Sequence, residues 1–126
     1  MITIPELVKK EWDNKQDAIV LTTVSGTGVP NSIYVTQVAL YGDGKVLVAN
    51  NQFNKTLANI EACKEVTVLF ITKDTKAFQL KGTISYKTEG NEFDDMKKWN
   101  RADLPGHGVA IIEVSEVYSG ADKLAS

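Results

Sequence analysis

Residues 50–60 bring together the side chains in this chain that are best suited to hold an anion. The segment follows an apolar run at residues 46–49 and opens a helical pattern for which Asn54 is a suitable N-cap. The first turn of a helix leaves backbone N–H groups without partners, and the helix dipole favours a negative charge there. Lys55 adds a positive charge and Thr56 adds a hydroxyl. We therefore predict a phosphate-binding strand–helix junction; a capped helix that carries a solvated lysine is the alternative.

The composition restricts the class of protein. With 126 residues, of which 43% are hydrophobic and 24% charged, residues 1–126 have the size and make-up of one globular domain. The net charge is −2 and Arg101 is the one arginine, so the concentrated positive surface that nucleic-acid binding requires is missing. The single cysteine, Cys63, excludes an intramolecular disulfide and a cysteine-based metal cluster.

The sequence also lacks the usual signals for crossing a membrane. Its first residues do not combine a basic stretch with an apolar one, so we expect no secretory signal peptide. No apolar run approaches the roughly 18 residues that a membrane span needs. We therefore expect a cytoplasmic protein that has no membrane partner.

Turn residues divide the chain into short segments of strand and helix character. Glycine-containing turns at residues 25–28 and 42–44 favour β-hairpins, the second through an Asp-Gly pair. The pattern from Thr3 to Glu6 is a capping box that opens the first helix. The predicted helices cover residues 3–14, 54–64 and 91–100. The predicted strands cover residues 18–24, 33–41, 46–49, 65–72, 77–88 and 109–118.

This order of elements predicts a mainly β fold with short helices. Six strands that are connected mostly by hairpins favour an antiparallel sheet, and closing such a sheet removes its edges. Residues 66–71 and 109–114 are mostly apolar rather than strictly alternating, which fits a small closed or nearly closed barrel. Gly82 interrupts the longest strand and suits a bulge or a bend of that barrel.

Four motifs, taken in order, resemble those of one family. Asp43-Gly44 precedes a strand, residues 54–60 open a helix, residues 78–84 form a strand, and residues 87–93 lead into the next helix. Their order and spacing are similar to those of the FMN-binding split β-barrel proteins related to pyridoxamine 5′-phosphate oxidase, above all the small members. The resemblance covers roughly residues 18–115. It implies a six-stranded, Greek-key-like antiparallel split β-barrel that has its helices at the barrel ends.

The resemblance also implies FMN as cofactor. The cofactor would be held at a homodimer interface, so that some residues of one subunit contact the flavin of the other. Lys55 and Thr56 would bind the flavin phosphate, and the strand around Tyr34 would lie along the ring. Amides, hydroxyls and a cation are the groups that a ribityl phosphate requires. The implied cofactor-binding residues are Ser32, Tyr34, Val35, Thr36, Asn50, Asn51, Asn54, Lys55, Thr56, Asn59 and Gln79.

The implied activity is flavin redox chemistry, in which the cofactor transfers electrons and no side chain is assigned as a catalytic acid or base. An oxidoreductase that receives electrons from NAD(P)H or from a redox protein is the first hypothesis. A non-enzymatic electron carrier or FMN store is the second. The third is a barrel of this type that binds deazaflavin F420 or haem, or that has lost its cofactor.

Three residues outside this set each have two interpretations. Trp99 is either an aromatic lid on the flavin or an anchor for the third helix. Arg101 either guides an anionic substrate or is a solvated loop residue. His107, the one histidine, either transfers a proton to reduced flavin or lies on the surface. No spacing of metal ligands is present, so we expect no metal site.

Overall fold

Three helices and eight strands make up the chain in the computed structural model, which describes all 126 residues. The helices are α1 (Glu6–Trp12), α2 (Lys55–Ala62) and α3 (Asn91–Trp99). The strands are β1 (Ile19–Val24), β2 (Pro30–Val35), β3 (Val38–Tyr41), β4 (Lys45–Asn50), β5 (Glu65–Ile71), β6 (Ala77–Lys87), β7 (Gly108–Ser119) and β8 (Asp122–Ala125). The fold is mainly β, as the sequence predicts.

The strands form one curled antiparallel sheet. Their order is β2-β1-β5-β6-β7-β4-β3, and β8 pairs with the end of β7. The two edge strands, β2 and β3, are separated in the chain by Thr36 and Gln37 alone. Because so short a link spans only about 10 Å, the sheet must curl until its edges approach each other. No ladder joins β2 to β3, so this half-barrel is split at the link.

The predicted count of six strands is wrong. The predicted strand at residues 33–41 is two strands, because the chain leaves β1 after Val35 and joins β4 at Gln37, whose carbonyl accepts a hydrogen bond from Ala49 N at 3.0 Å. A further strand, β8, follows a tight turn at Gly120, where φ is 59°. The polar sequence of β8 has no alternating apolar pattern by which it could be recognised.

The main core fills the inside of the curled sheet, and both α1 and α2 contribute to it, through Trp12 and Ile60 among others. A second cluster lies on the outer face of β4 and β7 and comprises Leu47, Ala49, Val109 and Ile111 with Met96 of α3. The third helix therefore covers an outer sheet face, which for α3 corrects the expectation of a position at the barrel end. The apolar run at 109–112, which ends at the exposed Glu113, reflects burial on both faces of β7.

The outer face of the other half of the sheet carries no helix. Tyr34, Val20, Leu69 and Gln79 are successive register partners across β2, β1, β5 and β6, so their side chains form one row. Tyr34 is 78% exposed and Leu69 is 43% exposed. We call the surface that these four residues define the bare sheet face. It leaves large apolar side chains in water, in contrast to the face that α3 covers.

Candidate functional site

A cleft of about 390 Å³ lies where the barrel is split. It is formed by the end of β2 and the link after it, by the end of β4 and the loop before α2, and by the loop between α3 and β7. Its volume falls within the range of about 300–1,000 Å³ typical of ligand sites. The lining residues are Ile33, Tyr34, Val35, Thr36, Gln37, Ala49, Asn51, Gln52, Phe53, Arg101 and Leu104.

The first turn of α2 begins two residues after Phe53, at the border of this cleft. Asn54 is the N-cap residue as predicted, but its side chain forms no capping hydrogen bond. The first helical hydrogen bond runs from Ala58 N to the Asn54 carbonyl at 3.3 Å, so the N–H groups of Lys55, Thr56 and Leu57 have no acceptor in the chain. Donors that are left free at a helix start form a ready site for an anion.

Lys55 supplies the positive charge at this helix start. Its side chain is exposed and forms no salt bridge within the chain, whereas Lys45, Lys76 and Lys87 are each paired with a carboxylate. The ammonium group is therefore available to a ligand without the loss of an existing ion pair.

The loop between β4 and α2 owes its shape to Asn50. This side chain is only 4% exposed; its Oδ1 accepts from Phe53 N at 2.8 Å and its Nδ2 donates to the Tyr86 hydroxyl at 2.7 Å. Asn50 therefore holds the turn that presents Phe53 to the cleft and the following helix start to its border. Its own amide points to Tyr86 and the turn backbone.

The structure divides the predicted cofactor-binding residues into three groups. Tyr34, Val35, Thr36 and Asn51 line the cleft, and Asn54 and Lys55 lie at the helix start beside it. Asn50, Thr56 and Asn59 are buried, and Asn59 Nδ2 donates to Thr23 Oγ1 at 3.1 Å. Ser32 and Gln79 lie on the outer side of β2 and β6, away from the cleft of their own chain.

Several residues that line the cleft are absent from the predicted set. Gln37 lies in the link between β2 and β3, and Gln52 and Phe53 lie in the loop after β4. Leu104 lies in the loop after α3. An interruption of strand or helix character marks Gln52, Phe53 and Leu104 in the sequence, since ligand-contacting residues concentrate in loops that a scaffold holds in place. Gln37 carries no such signal, because it lies within a run that reads as one strand.

Arg101 combines a fixed backbone with a partly free side chain. Its backbone N–H donates to Gln37 Oε1 at 2.9 Å, and its Nε donates to Asp103 Oδ1 at 2.6 Å. The hydrogen bond from this guanidinium lowers the pKa of Asp103. Both terminal nitrogens of Arg101 lack hydrogen-bond partners, so the cleft mouth presents a guanidinium that can still bind a carboxylate or phosphate.

Trp99 and His107 do not line the cleft. Trp99 packs against the cluster beneath α3, and its Nε1 donates to Asp95 Oδ2 at 3.0 Å. This placement agrees with the anchor interpretation. His107 is exposed in the loop before β7, where its backbone N–H donates to the Asn50 carbonyl at 2.9 Å. Among the cleft-lining side chains only Tyr34 and Arg101 are ionisable.

No cluster of three or more His, Cys, Asp or Glu side chains is arranged to hold a metal ion. None of the three helices combines the length and the apolar character that crossing a bilayer requires.

Comparison with known sequences identifies relatives over nearly the whole chain. The family model described as pyridoxamine 5′-phosphate oxidase matches residues 6–119. The uncharacterized protein MJ0282 of Methanocaldococcus jannaschii is 28% identical over 124 residues, covering 94% of this chain and 82% of that protein.

Solved structures share the fold at lower identity. HupZ from Group A Streptococcus gives a TM-score of 0.83 at 22% identity and covers 98% of each chain. An FMN-binding protein from Syntrophomonas wolfei subsp. wolfei gives 0.75 at 18% identity, covering 96% of this chain and 97% of that chain.

Two further structures with this fold carry names that indicate other ligands. An F420 reductase gives a TM-score of 0.69 at 15% identity, covering 91% of this chain and 98% of that one. HutZ, the haem storage protein of Vibrio cholerae, gives a TM-score of 0.65 at 15% identity, covering 100% of this chain and 98% of that one. The fold is thus common to proteins with different ligands.

Proposed function

The chain belongs to the pyridoxamine 5′-phosphate oxidase family, and from this premise we propose that it is an FMN-binding flavoprotein whose cofactor occupies the cleft at the barrel split. The observation that carries the proposal is the start of α2. Three backbone N–H groups without acceptors lie beside an unpaired lysine, at the border of a cleft of suitable size. This combination suits the phosphate end of FMN.

The rest of the cleft suits the remainder of that cofactor. Val35, Ala49 and Phe53 provide apolar surface for a flat aromatic ring, and Thr36 and Gln52 provide hydroxyl and amide groups for a polar chain. The strand β2 is a sheet edge, so part of its backbone is free to bond to a ligand. When bound, FMN supplies electron or hydride transfer. The side chains of this chain bind it, orient it and limit its exposure to water.

We propose that two copies associate through the bare sheet face. Tyr34 belongs both to this face and to the cleft lining, so a partner placed here would also border the cleft. The exposed apolar side chains of Tyr34 and Leu69 would then be buried. Ser32 and Gln79, which lie on the same outer side of the sheet, would contact the partner's flavin rather than the flavin of their own chain.

Flavin oxidoreduction with an anionic electron donor is the activity we propose. Arg101 presents free N–H groups at the cleft mouth, which suits the phosphates of NAD(P)H. No carboxylate, histidine, cysteine or lysine side chain lines the cleft, so electron transfer would depend on the cofactor itself. An electron carrier or FMN store remains the alternative if no soluble donor reduces the bound flavin.

Two measurements test these proposals. The visible absorption spectrum and the mass of the ligand released from purified protein would identify FMN; release of F420 or of haem would refute the flavin assignment. The cleft of a single chain offers neither histidine, cysteine nor methionine as an axial haem ligand, and Tyr34 is the one lining residue of a haem-ligating type. Mixing the purified protein with NADH or NADPH then distinguishes an oxidoreductase from an electron carrier. Bleaching of the flavin absorbance followed by turnover indicates an oxidoreductase. Reduction by dithionite or a redox protein alone indicates a carrier.

A further inference from the structure

The loop that closes one side of the cleft has almost no secondary structure of its own. We call residues 100–106, between α3 and β7, the strap. Its one internal backbone hydrogen bond runs from Leu104 N to the Arg101 carbonyl at 2.9 Å. Arg101 and Leu104 both line the cleft. Because the strap has so little local structure, its position must depend on the groups that anchor it to the rest of the fold.

The principal anchor is the side chain of Asn51. Asn51 Nδ2 donates to Asn100 Oδ1 at 2.9 Å, and Asn100 Nδ2 donates back to Asn51 Oδ1 at 3.1 Å. The same Asn51 oxygen accepts from Gly106 N at 2.8 Å. One carboxamide therefore holds both ends of the strap. Its oxygen has used both lone pairs and its nitrogen has one N–H left, so the Asn51 side chain has little capacity to bind a ligand directly.

Further contacts hold the two ends of the strap in place. Gly106 adopts φ +53°, a left-handed conformation that favours glycine, and a Cβ there would lie 2.9 Å from both Asn100 Nδ2 and Lys97 Nζ. Lys97 Nζ donates to the Gly106 carbonyl at 2.8 Å. At the other end of the cleft wall, Arg101 N donates to Gln37 Oε1 at 2.9 Å. The strap thus connects the loop after β4 with the link at the barrel split.

We infer that Asn51 is a positioning residue rather than a cofactor ligand: its amide clasps Asn100 and Gly106 and so holds Arg101 and Leu104 at the cleft. The inference rests on the proposed function in one respect: its second test measures the release of FMN from the cleft. The clasp itself is a property of the protein without ligand. Removing either amide should release the strap. The double variant should not exceed Asn51→Ala, because Asn51→Ala already breaks both hydrogen bonds that Asn100→Ala breaks, together with the one from Gly106 N.

The test compares Asn51→Ala, Asn100→Ala and the double variant, with Asn14→Ala as a matched control that removes an amide bonded to Asp74, in the turn between β5 and β6. Hydrogen exchange without FMN is measured first. The hydrogen-bonded backbone N–H groups of Arg101, Leu104 and Gly106 should exchange at least about tenfold faster in both single variants, and the double variant should match Asn51→Ala. The control should behave as wild type. Wild-type exchange in Asn51→Ala would overturn the inference.

The release rate of FMN from the loaded protein is the second measurement. We expect about tenfold faster release from both single variants and no further increase in the double variant. If Asn51→Ala releases FMN faster while hydrogen exchange in its strap stays at the wild-type rate, Asn51 contacts the cofactor directly and the positioning role is refuted. Release at the wild-type rate from both variants would refute it as well. If the wild-type protein binds no FMN, the flavin proposal fails, and the exchange measurement alone decides whether the clasp exists.

Discussion

Replacing Lys55 with alanine provides the most direct test of the phosphate site at the start of α2. The side chain is exposed and has no ion-pair partner, so its removal should not affect folding. A hydrogen bond to a charged group contributes about 1.5–3 kcal/mol, and exposure to solvent places Lys55 at the lower end of that range. About 1.5 kcal/mol corresponds to roughly a tenfold increase in the Kd for FMN. The free N–H groups of the helix start remain and retain part of the affinity.

The assay is titration of the apoprotein with flavin, followed by the quenching of flavin fluorescence. Riboflavin, which lacks the phosphate, is titrated in parallel and should bind Lys55→Ala as well as it binds the wild type. Lys64→Ala removes an equal charge just beyond the opposite end of α2, where Lys64 Nζ donates to the Ile60 carbonyl, and should change the Kd for FMN by less than about twofold.

Two results would refute the phosphate site. An equal loss of affinity for FMN and riboflavin would mean that Lys55 acts on the ring or on the fold. An unchanged Kd for FMN would mean that the phosphate binds elsewhere.

Three other changes test the fold and the interface around the site. Leu69→Lys on the bare sheet face should raise the dimer dissociation constant at least about tenfold, because it buries an unpaired charge. Analytical ultracentrifugation measures this constant, and an unchanged value would exclude this face as the dimer interface. Gly82→Ala should lower the free energy of unfolding by about 1–3 kcal/mol, because a Cβ at this bulge would collide with the Glu113 carbonyl; a denaturant titration in which the midpoint does not move would contradict this. Glu92→Gln should destabilise at neutral pH, because a hydrogen bond from its own backbone N–H and then one from Lys45 lower the pKa of Glu92. A lowered pKa stabilises the fold above the unfolded-state value, and this contribution is lost as the pH falls through the folded-state value. The melting temperatures of variant and wild type should therefore converge in acid, and a difference that persists there would show another cause.

Turn chemistry and apolar periodicity suffice to predict most of the elements, because both act over a few residues. The Asp-Gly turn, the apolar run before Asn50 and the helix after Asn54 are all present in the fold. The break at Thr36 and Gln37 has no such signal. It arises because β2 pairs with β1 and β3 pairs with β4, and those pairings lie on opposite edges of the sheet. A β-rich run that reads as one strand is therefore two.

The sequence by itself determined that this chain carries amides, a hydroxyl and a lysine at a strand–helix junction, because residue types and helix start signals are local. Only the tertiary structure decided which of those groups face the cleft. The amide of Asn50 bonds to Tyr86, 36 residues away, and that of Asn51 bonds to Asn100, 49 residues away. The orientation of a side-chain amide follows from its hydrogen-bond partners, and these partners become neighbours only when the sheet curls. The helix start with its lysine was therefore predictable, whereas the hydrogen bonds of the adjacent amides were not.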